Sequence, residues 1–207
     1  MRIRSLFALP AAAMVALPLA AQHRNTPSLS IEANGVYTGI SQNVFRNVSD
    51  GRGGEAIVSL GIGNFAIAGG VSRTFHDVSA QPAINLPALA GADGGTMTSF
   101  FVEPRLALPL GVSNFTPYLY GRAGQSNFQY TTDGNDVGER QRALMLGGGA
   151  GVIVELFKGA ALNLGGGYQW HRAGNSFGDQ SRPSGGGYMV RAGLMLGGTR
   201  WARDPGF

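Results

Sequence analysis

The sequence predicts an all-β fold, a single eight-stranded antiparallel β-barrel, from three observations. Apolar residues recur at every second position from residue 29 onward, which is the period of a strand. The connections between these periodic segments alternate between short and long. Glycine supplies 34 of the 207 residues, far above the usual ~7%. In helices each such glycine would cost about 1 kcal/mol relative to alanine. A hydrophobic content of 43% argues against a disordered chain.

Residues 1–21 read as a segment apart from the fold. Arg2 and Arg4 give a positive start, Leu6 to Leu19 is apolar apart from Pro10 and Pro18, and Ala20 and Ala21 follow as small residues. That is the layout of a secretory signal peptide. A membrane anchor fits less well, because the run is short of the ~20 apolar residues that a span needs and two prolines interrupt it. The expected organisation is a signal peptide over 1–21 and one barrel domain over 22–207.

The segments follow in order. The first, Leu29–Gly39, sets Leu29, Ile31, Ala33 and Tyr37 against Ser30, Glu32, Asn34 and Thr38. The second, Glu55–Ile62, carries Ala56, Val58, Leu60 and Ile62 on one face, and the third, Phe65–Phe75, carries Phe65, Ile67 and Val71. The fourth, Thr98–Leu108, opposes Phe100, Val102, Leu106 and Leu108 to Phe101, Glu103, Arg105 and Ala107. In the fifth, Phe115 to about Phe128, Leu119, Gly121 and Ala123 oppose Tyr118, Tyr120 and Arg122. The sixth, Ala143–Leu156, sets Leu144, Leu146, Val152 and Val154 against Gly147, Gly149, Gly151 and Glu155. The seventh, Leu162–His171, places Leu164, Tyr168 and Trp170 opposite Gly165, Gly167 and His171, and the eighth, Tyr188–Leu196, places Val190 and Leu194 opposite Arg191.

Short connections are expected at Gly63–Asn64, Pro109–Asn114 and Phe157–Ala161. Long ones are expected at Ile40–Gly54, His76–Met97, about Gln129–Arg142 and Arg172–Gly187. This rhythm is that of a transmembrane β-barrel of the outer-membrane type, with short periplasmic turns, long external loops and an even strand number. Such a barrel turns its apolar face outward to lipid and its polar face inward. With eight strands the interior is just wide enough to be filled by side chains. Inward glycines would then leave room for arginine and tyrosine, and aromatic residues near the segment ends suggest interfacial girdles.

The leading signal-peptide pattern, eight alternating segments, the loop rhythm and the C-terminal Phe207 resemble the small outer-membrane β-barrel superfamily of the opacity-protein and OmpA-barrel type, over about residues 28–207. The resemblance implies outer-membrane lipid and lipopolysaccharide as surroundings and the barrel-assembly machinery as a partner, with the terminal aromatic helping recognition of the last strand. Here Arg203, Asp204, Pro205 and Gly206 precede Phe207, and Pro205 cannot donate to a strand ladder.

The candidate site is a lumen charge network of Glu32, Glu103, Arg105, Arg122, Glu155 and Arg191, all on the expected inward face. Three acids and three arginines balance. Unpaired buried charges cost several kcal/mol, so the expected arrangement is a salt-bridge plug, with a gate or narrow ion path as the alternative. No catalytic, cofactor or metal site is expected. His171-Arg172-Ala173-Gly174-Asn175 resembles the His-x-Ser-Asn pattern of outer-membrane lipid A deacylases, but Ala173 stands where the nucleophile is needed. The glycines over 147–151 lack the Lys-Ser/Thr ending of a phosphate loop. His23, His76 and His171 have no metal-ligand spacing, and the absence of cysteine removes thiol chemistry. The formal charge of +4 includes Arg2 and Arg4, and no basic run is present, so nucleic acid is not an expected partner.

The expected role is structural or at the cell surface, in envelope integrity or adhesion, with a surface partner met through loops 76–97 and 172–187. The alternatives are a narrow porin for small solutes, a lipid-modifying outer-membrane enzyme, and a soluble periplasmic barrel with an apolar ligand in its lumen.

Overall fold

A computed structural model describes residues 27–40, 48–78, 92–108, 110, 114–174 and 184–198. Eight strands follow one another: β1 Ser28–Ile40, β2 Val48–Ile62, β3 Phe65–Val78, β4 Gly94–Ala107, β5 Phe115–Thr132, β6 Asn135–Phe157, β7 Ala160–Ala173 and β8 Ser184–Gly197. Each pairs antiparallel with its sequence neighbours, and β1 pairs with β8, so the sheet closes on itself. Closure leaves no edge within the ring, which is the condition for strands to exist in lipid. No helix among the described residues is long and apolar enough to cross a membrane.

The short turns share one end of the barrel with Ser28 and Gly197. Ile62 pairs with Phe65 across Gly63–Asn64, where Gly63 takes a left-handed φ of 59°. Phe157 pairs with Ala160 across Lys158–Gly159. At Pro104, which has no N–H to donate, the β4–β5 ladder skips two residues without a change of register: pairing passes from Val102–Ala123 to Arg105–Tyr120.

All eight expected segments are strands, but most are taller than expected. β2 begins at Val48 rather than Glu55, and β6 runs for 23 residues. The expected long connection over Gln129–Arg142 is instead strand almost throughout. β5 and β6 meet in a two-residue turn at Asp133–Gly134, with φ of 49° and 77°. Asp-Gly with both φ positive is the favoured short hairpin turn, since its twist matches that of the flanking strands. A transmembrane strand needs about 9–11 residues, so this hairpin rises well past the apolar part of the barrel. The readings of residues 1–21, His23, Asn175 and Phe207, and residues 79–91 and 175–183 of the two expected surface loops, lie outside the described residues.

The two faces have opposite chemistry. Leu29, Ile31, Val58, Leu60, Phe100, Val102, Leu119, Leu146, Val190 and Leu194 are all exposed on the outside. Above this apolar band, toward the long-loop end, the outer face turns polar, with Arg52, Arg73, Gln125, Arg142 and Arg172 exposed. The inside holds the buried side chains.

Candidate functional site

The lumen is filled in three levels. Near the short turns Ala66, Ala107, Ile153, Ala161 and Met195 are buried in a cluster that Tyr118, Tyr120 and Met189 continue upward. At the long-loop end Val48, Ala92, Met97, Phe128, Tyr130 and Ala143 form a second apolar cluster. There the His76 ring meets Phe128 edge-on at 5.9 Å between centroids. His76 also hydrogen-bonds the Thr74 hydroxyl at 2.8 Å and the Ser49 carbonyl at 3.0 Å.

Between these levels lies an ionic cluster. β4 supplies Glu103 and, two residues on, Arg105. β1 supplies Glu32, β2 Glu55, β5 Arg122 and β8 Arg191. All six are buried, with Glu103 at 0% and Arg191 at 1% exposure. Glu103 is the hub. Its carboxylate accepts from Arg105 Nε at 2.8 Å, Arg122 Nε at 2.7 Å and Arg191 Nη2 at 2.7 Å. Arg105 forks onto Glu32 through both terminal nitrogens. Arg122 and Arg191 each donate to Glu55, at 2.6 and 3.3 Å.

Neutral groups complete the cluster. Asn163 donates to Glu32 at 2.7 Å and accepts from the Tyr118 hydroxyl at 2.6 Å, while Asn34 donates to Glu55 at 3.2 Å. Aromatic faces cover the guanidinium groups: Arg122 lies 3.7 Å from the Phe101 ring centroid and Arg191 lies 4.6 Å from that of Tyr120. Stacking of this kind on a desolvated arginine contributes roughly 2 kcal/mol.

Five of the six expected network residues (Glu32, Glu103, Arg105, Arg122 and Arg191) meet in this cluster. The sixth does not. Glu155 lies half-buried at the short-turn end of β6, where the register shifts between Glu155 and Phe157. Its place is taken by Glu55, so the balance of three acids and three arginines is kept. The glycine expectation has a direct counterpart. A side chain at Gly149 would fall 2.7 Å from the Tyr120 hydroxyl, and one at Gly151 would overlap Cζ of Tyr118. The two tyrosines lean over the neighbouring strand into the space left by these glycines, which are their direct register partners.

His171 is buried in the upper lumen, whereas its neighbour Arg172 is exposed on the outer face. No group of three or more metal-ligating side chains occurs among the described residues.

No protein-family model matches the chain, and no curated protein sequence does. Solved structures do match. The outer membrane protein OprG from Pseudomonas aeruginosa aligns with a TM-score of 0.53 at 13% identity, over 86% of this chain and 98% of that one. Neisserial surface protein A aligns at 0.51 and 15% identity, over 84% and 99%. A major outer membrane protein of Thermus thermophilus aligns at 0.50 and 16%, over 84% and 100%. The resemblance expected from the sequence, to small eight-stranded outer-membrane barrels, is therefore present at the level of fold.

Proposed function

We propose that this chain is an integral outer-membrane protein with a sealed lumen, serving a structural or surface role rather than transport. The observation that carries the reading is the inversion of its faces. Six ionised side chains are buried inside, and leucine, isoleucine, valine and phenylalanine cover the outside. In water this arrangement would lose the hydrophobic stabilisation of the exposed band, about 25 cal/mol for each Å² left wet. In a bilayer the same band is solvated by acyl chains, and the closed ladder satisfies the backbone. Membrane fractionation tests this. The chain is expected in the outer-membrane fraction, released only by detergent and migrating differently on gels before and after boiling. Extraction by buffer alone overturns the reading.

A structural role is favoured over a narrow porin because all six members of the ionic cluster are ion-paired, with only Arg191 Nε lacking a hydrogen bond among their charged atoms, and apolar clusters lie above and below it. The purified barrel in a planar lipid bilayer is therefore expected to give no steady conductance steps. Long-lived openings of uniform size would favour the porin. A role at the cell surface would run through the connections between β3 and β4 and between β7 and β8, with adhesion or envelope integrity as its outcome and the barrel-assembly machinery as the route of insertion. These connections are shorter than the expected 76–97 and 172–187, because the strands extend to Val78, from Gly94, to Ala173 and from Ser184. An enzymatic role is not part of this reading, because Ala173 stands where the hydrolase pattern requires a nucleophile.

A further inference from the structure

On the outer face, β5, β6 and β7 enclose an open groove of about 420 Å³ lined by Gln125, Arg142, Leu144, Arg172 and neighbouring backbone. Leu144 pairs with Gln125 on one side and with Arg172 on the other. Arg142 lies two residues above Leu144 and pairs with Asn127. The two arginines are thus diagonal neighbours on one face, roughly 7–8 Å apart and somewhat closer between Cβ atoms. Both are exposed. Among the described residues, neither forms an ion pair.

The surroundings make this pair different from two other outward arginines, Arg52 and Arg73. Arg73 lies over the Phe75 ring at 5.4 Å, and Asp50 stands two residues from Arg52 on the same face. The register rows that hold Arg142 and Arg172 contain Gln125, Asn127, Leu144 and Ser184, and no carboxylate. Below the pair, the apolar band changes in shape. The outward positions Gly121, Ala123, Gly148, Ala150 and Gly166 are small, and Leu119, Leu146, Leu164 and Tyr168 border them. A Cβ at Gly121 would meet nothing nearer than 3.9 Å, so the surface there is an open slot.

An arginine pair without a carboxylate partner among the described residues, at the upper edge of the apolar band and with a shallow slot running down from it, matches an amphiphile with an anionic head and a straight chain. Guanidinium groups bind phosphate through two parallel N–H donors. We infer that Arg142 and Arg172 bind the phosphate of a phosphorylated lipid in the external leaflet, with Gln125 as an additional donor and an acyl chain along the small-residue slot. The inference rests on the lipid-facing reading of the outer surface and gives that surface a specific binding site.

The test uses the full barrel folded in uncharged detergent micelles, with folding checked by heat-dependent gel migration. It is titrated with lipid A, with lipid A stripped of its phosphates, and with inorganic phosphate, and bound ligand is counted by native mass spectrometry. Lipid A is expected to bind roughly tenfold more weakly to the Arg142→Gln/Arg172→Gln double variant, and the dephosphorylated lipid roughly tenfold more weakly to the unaltered chain. Arg52→Gln/Arg73→Gln is expected to bind within about twofold of the unaltered chain, and Ala123→Leu to bind less by filling the slot. Equal binding by the first double variant overturns the inference. So does an equal loss in the second, which would mean a non-selective basic girdle, or saturation by inorganic phosphate without lipid. None of these outcomes depends on membrane fractionation, which tests the underlying reading separately.

Discussion

Replacing Glu103 with alanine is expected to destabilise the barrel by about 3–5 kcal/mol, the range for breaking a buried ion pair from one side. Glu103 receives hydrogen bonds from Arg105, Arg122 and Arg191. Its removal leaves three guanidinium groups facing the carboxylates of Glu32 and Glu55, one uncompensated positive charge in a lumen capped by apolar side chains. Urea unfolding in micelles, followed by heat-dependent gel migration and the fluorescence of Trp170 in β7, measures the change. Glu32→Gln should cost less, because Glu32 engages Arg105 and Asn163 but neither Arg122 nor Arg191. A charge-balanced pair, Glu103→Gln with Arg122→Met, should recover part of the loss, since what destabilises is the unpaired charge rather than the missing contact. A loss below about 1 kcal/mol for Glu103→Ala would mean that the interior charges are hydrated, as at exposed pairs. Water in the lumen would then weaken the case for a sealed barrel as well.

Most of the ring is legible in the sequence, and the unread parts have one physical cause. Period two is visible only where one face meets an apolar medium and the other does not. Within the apolar band this holds, so segments such as Leu29–Gly39 and Tyr188–Leu196 can be placed within one to four residues of the strands that form. Above the band the outer face turns polar while the upper lumen is lined by Phe128, Tyr130 and Val137, so the sense of the alternation reverses and then fades. Residues 135–142 read Asn-Asp-Val-Gly-Glu-Arg-Gln-Arg, which carries no period, yet all of them belong to β6. The turn itself is readable, because Asp133-Gly134 is a strong local hairpin signal.

The same cause explains the one exchange in the charge cluster. Glu55 stands at the margin of the apolar alternation in β2, so it reads as a strand start. In the folded chain it has seven strand residues before it, Val48 to Gly54. Glu155 has the correct parity for the inside, but parity gives a side chain its face and not its height. Height follows from the stagger between strands. Arg122, a member of the ionic cluster, pairs with Gly147, whereas Glu155 lies eight residues further along β6 toward the short turns. No local pattern encodes that stagger. It emerges from the eight registers that have to close together.

The lumen's dependence on glycine gives the second large effect. Gly149→Val is expected to prevent the heat-modifiable folded form from accumulating, whereas Ala150→Val, one residue along the same strand, is expected to change stability by less than about 0.5 kcal/mol. A Cβ at Gly149 would overlap the Gly166 carbonyl oxygen and lie 2.6 Å from Gly167 Cα. Those are backbone atoms of the neighbouring strand, which cannot withdraw without breaking the β6–β7 ladder. Ala150 faces outward and is exposed, so two added methyl groups there enter the surrounding apolar medium. Gly165→Ala should fall between the two. Its Cβ would meet the Tyr118 hydroxyl and Arg191 Nε, both at 3.1 Å, and those are side-chain atoms that can shift by a few tenths of an ångström. Tyr118→Phe should relieve part of that cost by deleting the hydroxyl, but it should do nothing for Gly149→Val, whose obstacle is backbone. Equal tolerance of valine at 149 and 150 would mean that the interior has slack. The tyrosines would then not need these glycines, and the packing that seals the lumen would have to be assigned to other residues.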